Sequence, residues 1–205
     1  MNKFIYLNAH SIPPELCDDL IEYYYDVKDS HYEGRTLGGV NKNIKDTTDF
    51  TIPLNAEPGS RWDKINKFLQ KELRTNLKMY LDQLKDIPEF SAEQNNGVDY
   101  RIFDYQYFTE NCFMLQKYEK QKGKYTYHND FLLDSDSHRV ITYLWYINDV
   151  EEGGETELWH SLKIKPEKGK LLLFPAHFSV PHCGLMPISS DKIIITGWLY
   201  HPNNK

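Results

Sequence analysis

The chain is poor in cysteine, has no long apolar run and carries no excess of positive charge, and each shortage removes a class of function. Cys17, Cys112 and Cys183 are its three cysteines. They are widely scattered, so neither a disulfide framework nor a paired-cysteine metal site is legible, and a reducing compartment fits best. The longest apolar stretches, Leu171–Phe174 and Ile193–Ile195, are far too short to span a membrane. Met1–Asn8 lacks the basic lead and apolar run of a secretory leader. The expectation is a soluble, cytoplasmic protein with no membrane partner. With 24 basic against 30 acidic residues the formal net charge is −6, which argues against nucleic acid, whose phosphates want a basic stripe. The local run Lys117, Lys120, Lys122 and Lys124 reads as a solvated loop. Internal repeats and low-complexity tracts are also missing, and nothing in the sequence specifies an oligomeric state.

What is present fits one domain, with room in 205 residues for a core and a pocket. The first half, about 1–99, reads as helical support with a flap. A short strand over Phe4–Leu7 precedes a helix opened by Pro13-Pro14 and running to about Val27, with Ser11 as its cap. Residues 29–46 are polar and glycine-rich, as in a mobile loop. Asp49–Leu54 reads as a strand, and Ser60 caps a helix over Arg61–Leu84 with an apolar stripe from Ile65 to Leu84. Gln94–Gly97 reads as a loop. From about 100 to 201 the texture changes to eight short strand-like segments, including Cys112–Tyr118, Tyr125–Asp130, Arg139–Asn148, Val180–His182 and Lys192–Tyr200. The fold expected is mainly β with N-terminal helices: a double-stranded β-helix, or jelly roll of cupin type, buttressed by two helices.

His128-Asn129-Asp130 is the triplet with chemical content. Side chains two apart on a strand share a face, so His128 and Asp130 can converge while Asn129 points away. Alone the triplet is weak, since chance supplies roughly 0.6 such matches in a chain of this composition; His31-Tyr32-Glu33 is one look-alike, set aside for want of a strand. The third ligand is expected at His182, at a strand end and followed by Gly184, whose missing side chain permits close approach to a metal. His160 and His177 sit at turns. Two imidazoles and one carboxylate form the facial set that suits Fe(2+) and leaves positions open for a co-substrate and O2. Lys192 opens the last strand and shares a face with Ile194, Thr196 and Trp198; ten residues after His182, it reads as an inward cation for a co-substrate carboxylate. Tyr118 and Tyr146 are candidate hydroxyl donors to the same carboxylate. Cys183 reads as a buried small hydrophobe.

The ordered string Gln116-Lys117-Tyr118, Tyr125, His128-Asn129-Asp130, Arg139, Thr142, Tyr146-Ile147-Asn148, Gly153-Gly154-Glu155-Thr156, Phe174-Pro175, His182-Cys183-Gly184, Lys192 and Trp198 resembles the prolyl 4-hydroxylase branch of the Fe(II)/2-oxoglutarate oxygenases, over roughly 112–200. The resemblance implies iron on His128, Asp130 and His182, with 2-oxoglutarate as co-substrate. It implies that Lys192 binds the distal carboxylate of 2-oxoglutarate, that Tyr118 and Tyr146 assist, and that Thr142 faces the same region. Arg139 and Trp198 are then candidates for contact with substrate. Ascorbate carries over as reductant, and a peptide or protein prolyl residue as substrate. Another residue, a free amino acid, or a cupin-like module that holds metal without turnover are the competing readings.

Overall fold

A computed structural model describes residues 2–88, 104–110, 112–132 and 137–202. Strand β1 (Tyr6–Asn8) is followed by helix α1 (Pro14–Asp26), β2 (Tyr32–Glu33), β3 (Lys45–Asp46), β4 (Thr48–Thr51) and helix α2 (Arg61–Lys85). The remaining strands are β5 (Thr109–Glu110), β6 (Met114–Tyr118), β7 (Lys124–His128), β8 (Ser137–Tyr146), β9 (Thr156–Leu158), β10 (Leu162–Ile164), β11 (Leu171–Pro175), β12 (His182–Gly184) and β13 (Lys192–Pro202). An eight-stranded sheet runs β1-β11-β8-β13-β6-β4-β2, with β5 on β13, and a five-stranded sheet runs β10-β9-β12-β7-β3. Every pairing is antiparallel. This is the expected double sheet with two helices.

The strands at the centre of the large sheet look continuously apolar in sequence because both of their faces are covered. Along β8, Tyr143 and Trp145 face the helices and join Cys17, Leu20, Leu69, Leu73, Leu77 and Tyr80 in one core. Leu144 and Tyr146 face the other way and pack with Tyr118, Leu172, Phe174 and Ile194 in a second core between the sheets. The same alternation splits β13, where Ile193 and Ile195 lie on the helix side while Ile194 lies in the inter-sheet core. The metal-type residues all occupy this inner space.

Several boundaries differ from the sequence expectation. The first strand starts at Tyr6, after a 3-10 turn over Asn2–Phe4. Ser11 does not cap α1; the cap is Pro13, with no side-chain bond. The Ser11 hydroxyl instead donates to Glu72 at 2.8 Å and accepts from the Trp145 indole at 2.9 Å, tying α1's entry to α2 and the large sheet. Ser60 does cap α2, accepting from the Asp63 amide. The loop at 29–46 contributes β2 and β3, short edge strands held by tertiary pairing that the polar composition does not betray. The 94–97 loop lies outside the described residues, as does part of the polar stretch 132–138. Lys117 and Lys122 of the basic run are each neutralised, by Asp191 at 2.8 Å and Glu119 at 2.6 Å.

Candidate active site

β7 and β12 are neighbours in the small sheet, and their register sets His128 directly across from His182. Strand β7 ends at His128, so Asp130 stands just past the strand instead of on it. It still turns inward and is buried, as is His182. His128, Asp130 and His182 each offer a ligand atom, and these atoms all lie within 4.8 Å of one another. The His182 Nε2 is 3.3 Å from Asp130 Oδ2 and the His128 Nε2 is 3.7 Å from Asp130 Oδ1.

The surroundings prepare those atoms for a cation. His128 Nδ1 sits 2.8 Å from the Thr126 carbonyl and His182 Nδ1 sits 3.0 Å from the Val180 carbonyl. A carbonyl only accepts, so each Nδ1 carries the proton, and a neutral ring then presents a bare Nε2 toward Asp130. The Thr142 hydroxyl donates to Asp130 Oδ2 at 2.7 Å and orients the carboxylate. Tyr125 stacks on His128 with centroids 3.6 Å apart, and Phe174 meets His182 edge-on at 4.8 Å. Electrostatics agree. Burial would raise the Asp130 carboxyl, but His182, His128 and Thr142 overcome it and hold it well below the usual carboxylate range. Burial pushes His128 down to about 4, with His182 adding to the effect. For His182, burial works downward, yet the contact with Asp130 wins and raises it. The donor set therefore fits a divalent ion of the Fe(2+) type: nitrogen and oxygen ligands on one face, with no thiolate.

A narrow cavity of about 70 Å³ leads inward from this cluster, lined by Tyr118, Thr142, Thr156, Lys192 and Ile194 among others. Lys192 is 1 % exposed and forms no ion pair among the described residues. Its ammonium donates to the Gly154 carbonyl at 2.8 Å and lies 4.0 Å from the Tyr118 ring centre. Burial pushes Lys192 down to about 7, with weak opposition from Cys183 and Glu155. Asn148 sets its position: the Asn148 amide donates to the Asp191 carbonyl and accepts from the Ile193 amide, both at 2.8 Å, gripping the backbone on each side of Lys192. The Gly153–Thr156 turn thus has a concrete duty, since it supplies the Gly154 carbonyl.

The other expected residues fall in distinct places. Tyr118 lines the inner cavity. Tyr146 is wholly buried, and its hydroxyl donates to Thr156 Oγ1 at 2.7 Å, so Thr156 is the group that faces the cavity. Thr142 lines the cavity, but its hydroxyl serves Asp130. Gly184 makes room for the Tyr118 ring, which a Cβ there would meet at 3.0 Å, and not for a metal. Cys183 is buried, in keeping with its reading. Arg139 lies flat on Trp198, 3.6 Å from the ring centre, and both line an outer cleft of about 470 Å³ that opens beside His128 and Asp130. Sequence reasoning missed Arg35 and Lys45, which reach the site from the segment that looked like plain loop. Thr156 was within the quoted glycine-rich turn, but nothing local marked it as cavity wall.

Residues 113–200 match the family described as the 2OG-Fe(II) oxygenase superfamily. No curated protein sequence matches the chain. Among solved structures, the chain is similar to the viral collagen prolyl hydroxylase of Paramecium bursaria Chlorella virus-1, with TM-score 0.62, 20% identity, and coverage of 97% of this chain and 96% of that one. It is similar to a Pseudomonas putida prolyl-4-hydroxylase, with TM-score 0.66, 17% identity, and coverage of 98% and 94%. A Trichoplax adhaerens prolyl hydroxylase, solved with a hypoxia inducible factor peptide fragment, gives TM-score 0.69 at 17% identity over 97% and 84%. The likeness extends through the helical half and is one of fold. The histidine–carboxylate–histidine cluster lies within the segment 113–200 that matches the 2OG-Fe(II) oxygenase superfamily.

Proposed function

We propose that the protein is an Fe(2+)- and 2-oxoglutarate-dependent dioxygenase that hydroxylates a C–H bond, with a prolyl residue of a peptide or protein as substrate. The observation that carries this reading is the pairing of two sites in one inner space: the His128, Asp130 and His182 cluster and, deeper, a buried ammonium that forms no ion pair among the described residues. Such an ammonium is costly to bury unless a ligand anion meets it, and 2-oxoglutarate is a dianion. Iron, with O2, supplies the oxidising power when bound; the chain binds, orients and excludes water.

Each residue's duty follows from its contacts. His128, Asp130 and His182 hold the metal on one face, and Thr142 and the two backbone carbonyls aim them. Lys192 takes the distal carboxylate of 2-oxoglutarate. Tyr118 walls the same end, and Tyr146 acts through Thr156. Arg139 and Trp198 stand at the outer cleft, where substrate enters. A carboxylate at position 130 fills the place a halide would need, which favours hydroxylation. The prolyl substrate rests on the fold shared with three prolyl hydroxylases, one of them holding a peptide. Ascorbate is carried as the reductant that restores the metal. The three free cysteines support a cytoplasmic setting, and no helix among the described residues is long and apolar enough to cross a membrane.

The test is oxygen-dependent succinate formation, followed by mass spectrometry of proline-containing peptides for a product about 16 Da heavier. His128→Ala and Asp130→Ala abolish both. Tight iron loading with no succinate from any substrate refutes an enzyme and leaves a metal-binding module.

A further inference from the structure

The outer cleft has an unbalanced charge. Arg35 and Arg139 both line it, and Asp130 is the sole carboxylate among its described lining residues. A divalent cation, Asp130, the two carboxylates of 2-oxoglutarate and Lys192 together sum to zero formal charge. Lys45 is likewise cancelled, by Asp49 at 2.9 Å, with both side chains buried. Among the described residues the two arginines are what remains, a local positive wall in a chain of net charge −6.

Their placement is built and not incidental. Arg139 is laid flat on Trp198, and its Nε donates to the Tyr200 hydroxyl at 3.4 Å. Arg35 is exposed and forms no ion pair among the described residues. It stands between two anchors. On one side, the Gly34 amide donates to the Thr47 carbonyl at 2.9 Å, and a Cβ at Gly34 would collide with the Thr47 hydroxyl and press on Lys45. On the other, Thr36 and Gly39 close a tight turn with reciprocal backbone bonds of 3.0 and 2.9 Å. The Lys45–Asp49 pair and the pairing of β3 with β7 hold the return leg of this flap against the small sheet. Ile44 and Phe131 give the cleft an apolar floor beside the arginines. Trp198 adds a buried indole N–H with no acceptor among the described residues.

We propose that Arg35 and Arg139 grip a carboxylate of the substrate, so that the enzyme selects molecules carrying an acidic group next to the carbon it oxidises. This rests on the reading of the centre as a hydroxylase and names its substrate class. Paired guanidinium groups favour a planar, two-oxygen anion. The carboxylate has two possible sources: an Asp or Glu side chain in a peptide, or the α-carboxylate of a free amino acid. The first is favoured by the size and openness of the cleft.

The experiment uses full-length protein loaded with Mn(2+) and 2-oxoglutarate under argon, and fluorescently labelled decapeptides with one proline. The residues either side of proline are Glu, Gln or Lys in turn, and free proline is offered as competitor. Anisotropy titrations are expected to give Glu peptides about tenfold tighter binding than their Gln counterparts, Lys peptides the weakest, and a contrast that shrinks with salt. Arg35→Glu inverts the order in favour of Lys, while Arg35→Lys preserves it; metal content serves as the check that both variants are folded. Direct binding of free proline by calorimetry that depends on Arg35, without peptide binding, keeps the carboxylate grip and assigns it to the small-molecule source. Equal binding of Glu and Gln peptides, an unchanged order in Arg35→Glu, or no binding of any carboxylate overturns the proposal. The same peptides then go to aerobic turnover with Fe(2+). Acidic preference in binding without a hydroxylated product removes the prolyl reading and leaves the grip standing. Hydroxylation with equal affinity for Glu and Gln peptides does the reverse.

Discussion

Replacing Lys192 with methionine separates what a buried charge does for the ligand from what it does to the fold. The ammonium's drop from 10.5 to about 7 corresponds to roughly 4 kcal/mol at neutral pH, at about 1.4 kcal/mol per pH unit. The bond to the Gly154 carbonyl and the contact with the Tyr118 ring offset about 2 kcal/mol of that. Methionine matches the length, needs no partner and leaves a net gain of about 2 kcal/mol, a rise of roughly 4–8 °C in the melting temperature of the ligand-free protein. The same change removes a buried charge pair with 2-oxoglutarate, which costs about 2–5 kcal/mol, or roughly 30- to several-thousand-fold in Kd. The sign of the pH dependence follows. Between about pH 7 and 10.5 the unfolded lysine keeps its proton and the folded one sheds it, so this residue makes ligand-free stability rise with pH across that window. Affinity for 2-oxoglutarate falls over the same window by about tenfold per unit, because the lysine must take a proton back. The assays are scanning calorimetry without ligand and titration of 2-oxoglutarate into Mn(2+)-loaded protein at several pH values. A Lys192→Met variant that melts lower than wild type, or binds 2-oxoglutarate as tightly, refutes the reasoning.

Three further outcomes follow from contacts already described. Thr142→Val removes the hydroxyl that aims Asp130 and is expected to weaken metal binding about 10- to 100-fold with 2-oxoglutarate contacts to Lys192 intact; a competition assay with a chelating dye reads it, and unchanged affinity speaks against an orienting role. Gly184→Ala pushes a methyl at 3.0 Å into the Tyr118 ring, so 2-oxoglutarate affinity drops while metal affinity is kept; equal loss of both would place Gly184 at the metal after all. Without metal, His182 holds its proton above the ordinary imidazole range because Asp130 faces it. The stability from that pair is present below pH 6.5 and is lost as pH rises through the folded value. Metal loading near neutral pH therefore releases a proton, measurable by calorimetry in buffers of different ionisation heat, and zero release would count against the pairing.

The catalytic half was legible because its signals are local. Period-two alternation placed Lys192, Ile194 and Trp198 on one face, and the ordered glycine, histidine and lysine positions gave that face a chemistry. The His128–His182 register was not written in either strand. It arises from pairing across 54 residues, and the sequence pointed to His182 only through its strand-end position and Gly184, with no sign of the register itself. The two short strands within the expected flap were missed for a related reason. β2 and β3 are two residues each and too short to show a period, and Lys45 looks like any surface lysine until Asp49 is brought to it. The Ser11 error is similar: a serine before Pro13-Pro14 has the composition of a cap, while its real partners lie 61 and 134 residues away.

The double-faced strands β8 and β13 carry a consequence for quality control. A slip of one residue in either would turn Tyr143 and Trp145, or Ile193 and Ile195, into the inner space and send Thr142, Lys192 and Thr196 toward the helices. Such a chain would bury the wrong groups on both sides at once. A slip in β8 would cost the carboxylate its support and weaken metal binding, and one in β13 would remove the ammonium and weaken co-substrate binding. Joint occupancy by metal and co-substrate is thus a reporter of correct strand pairing: a chain that takes up both has already passed the register test.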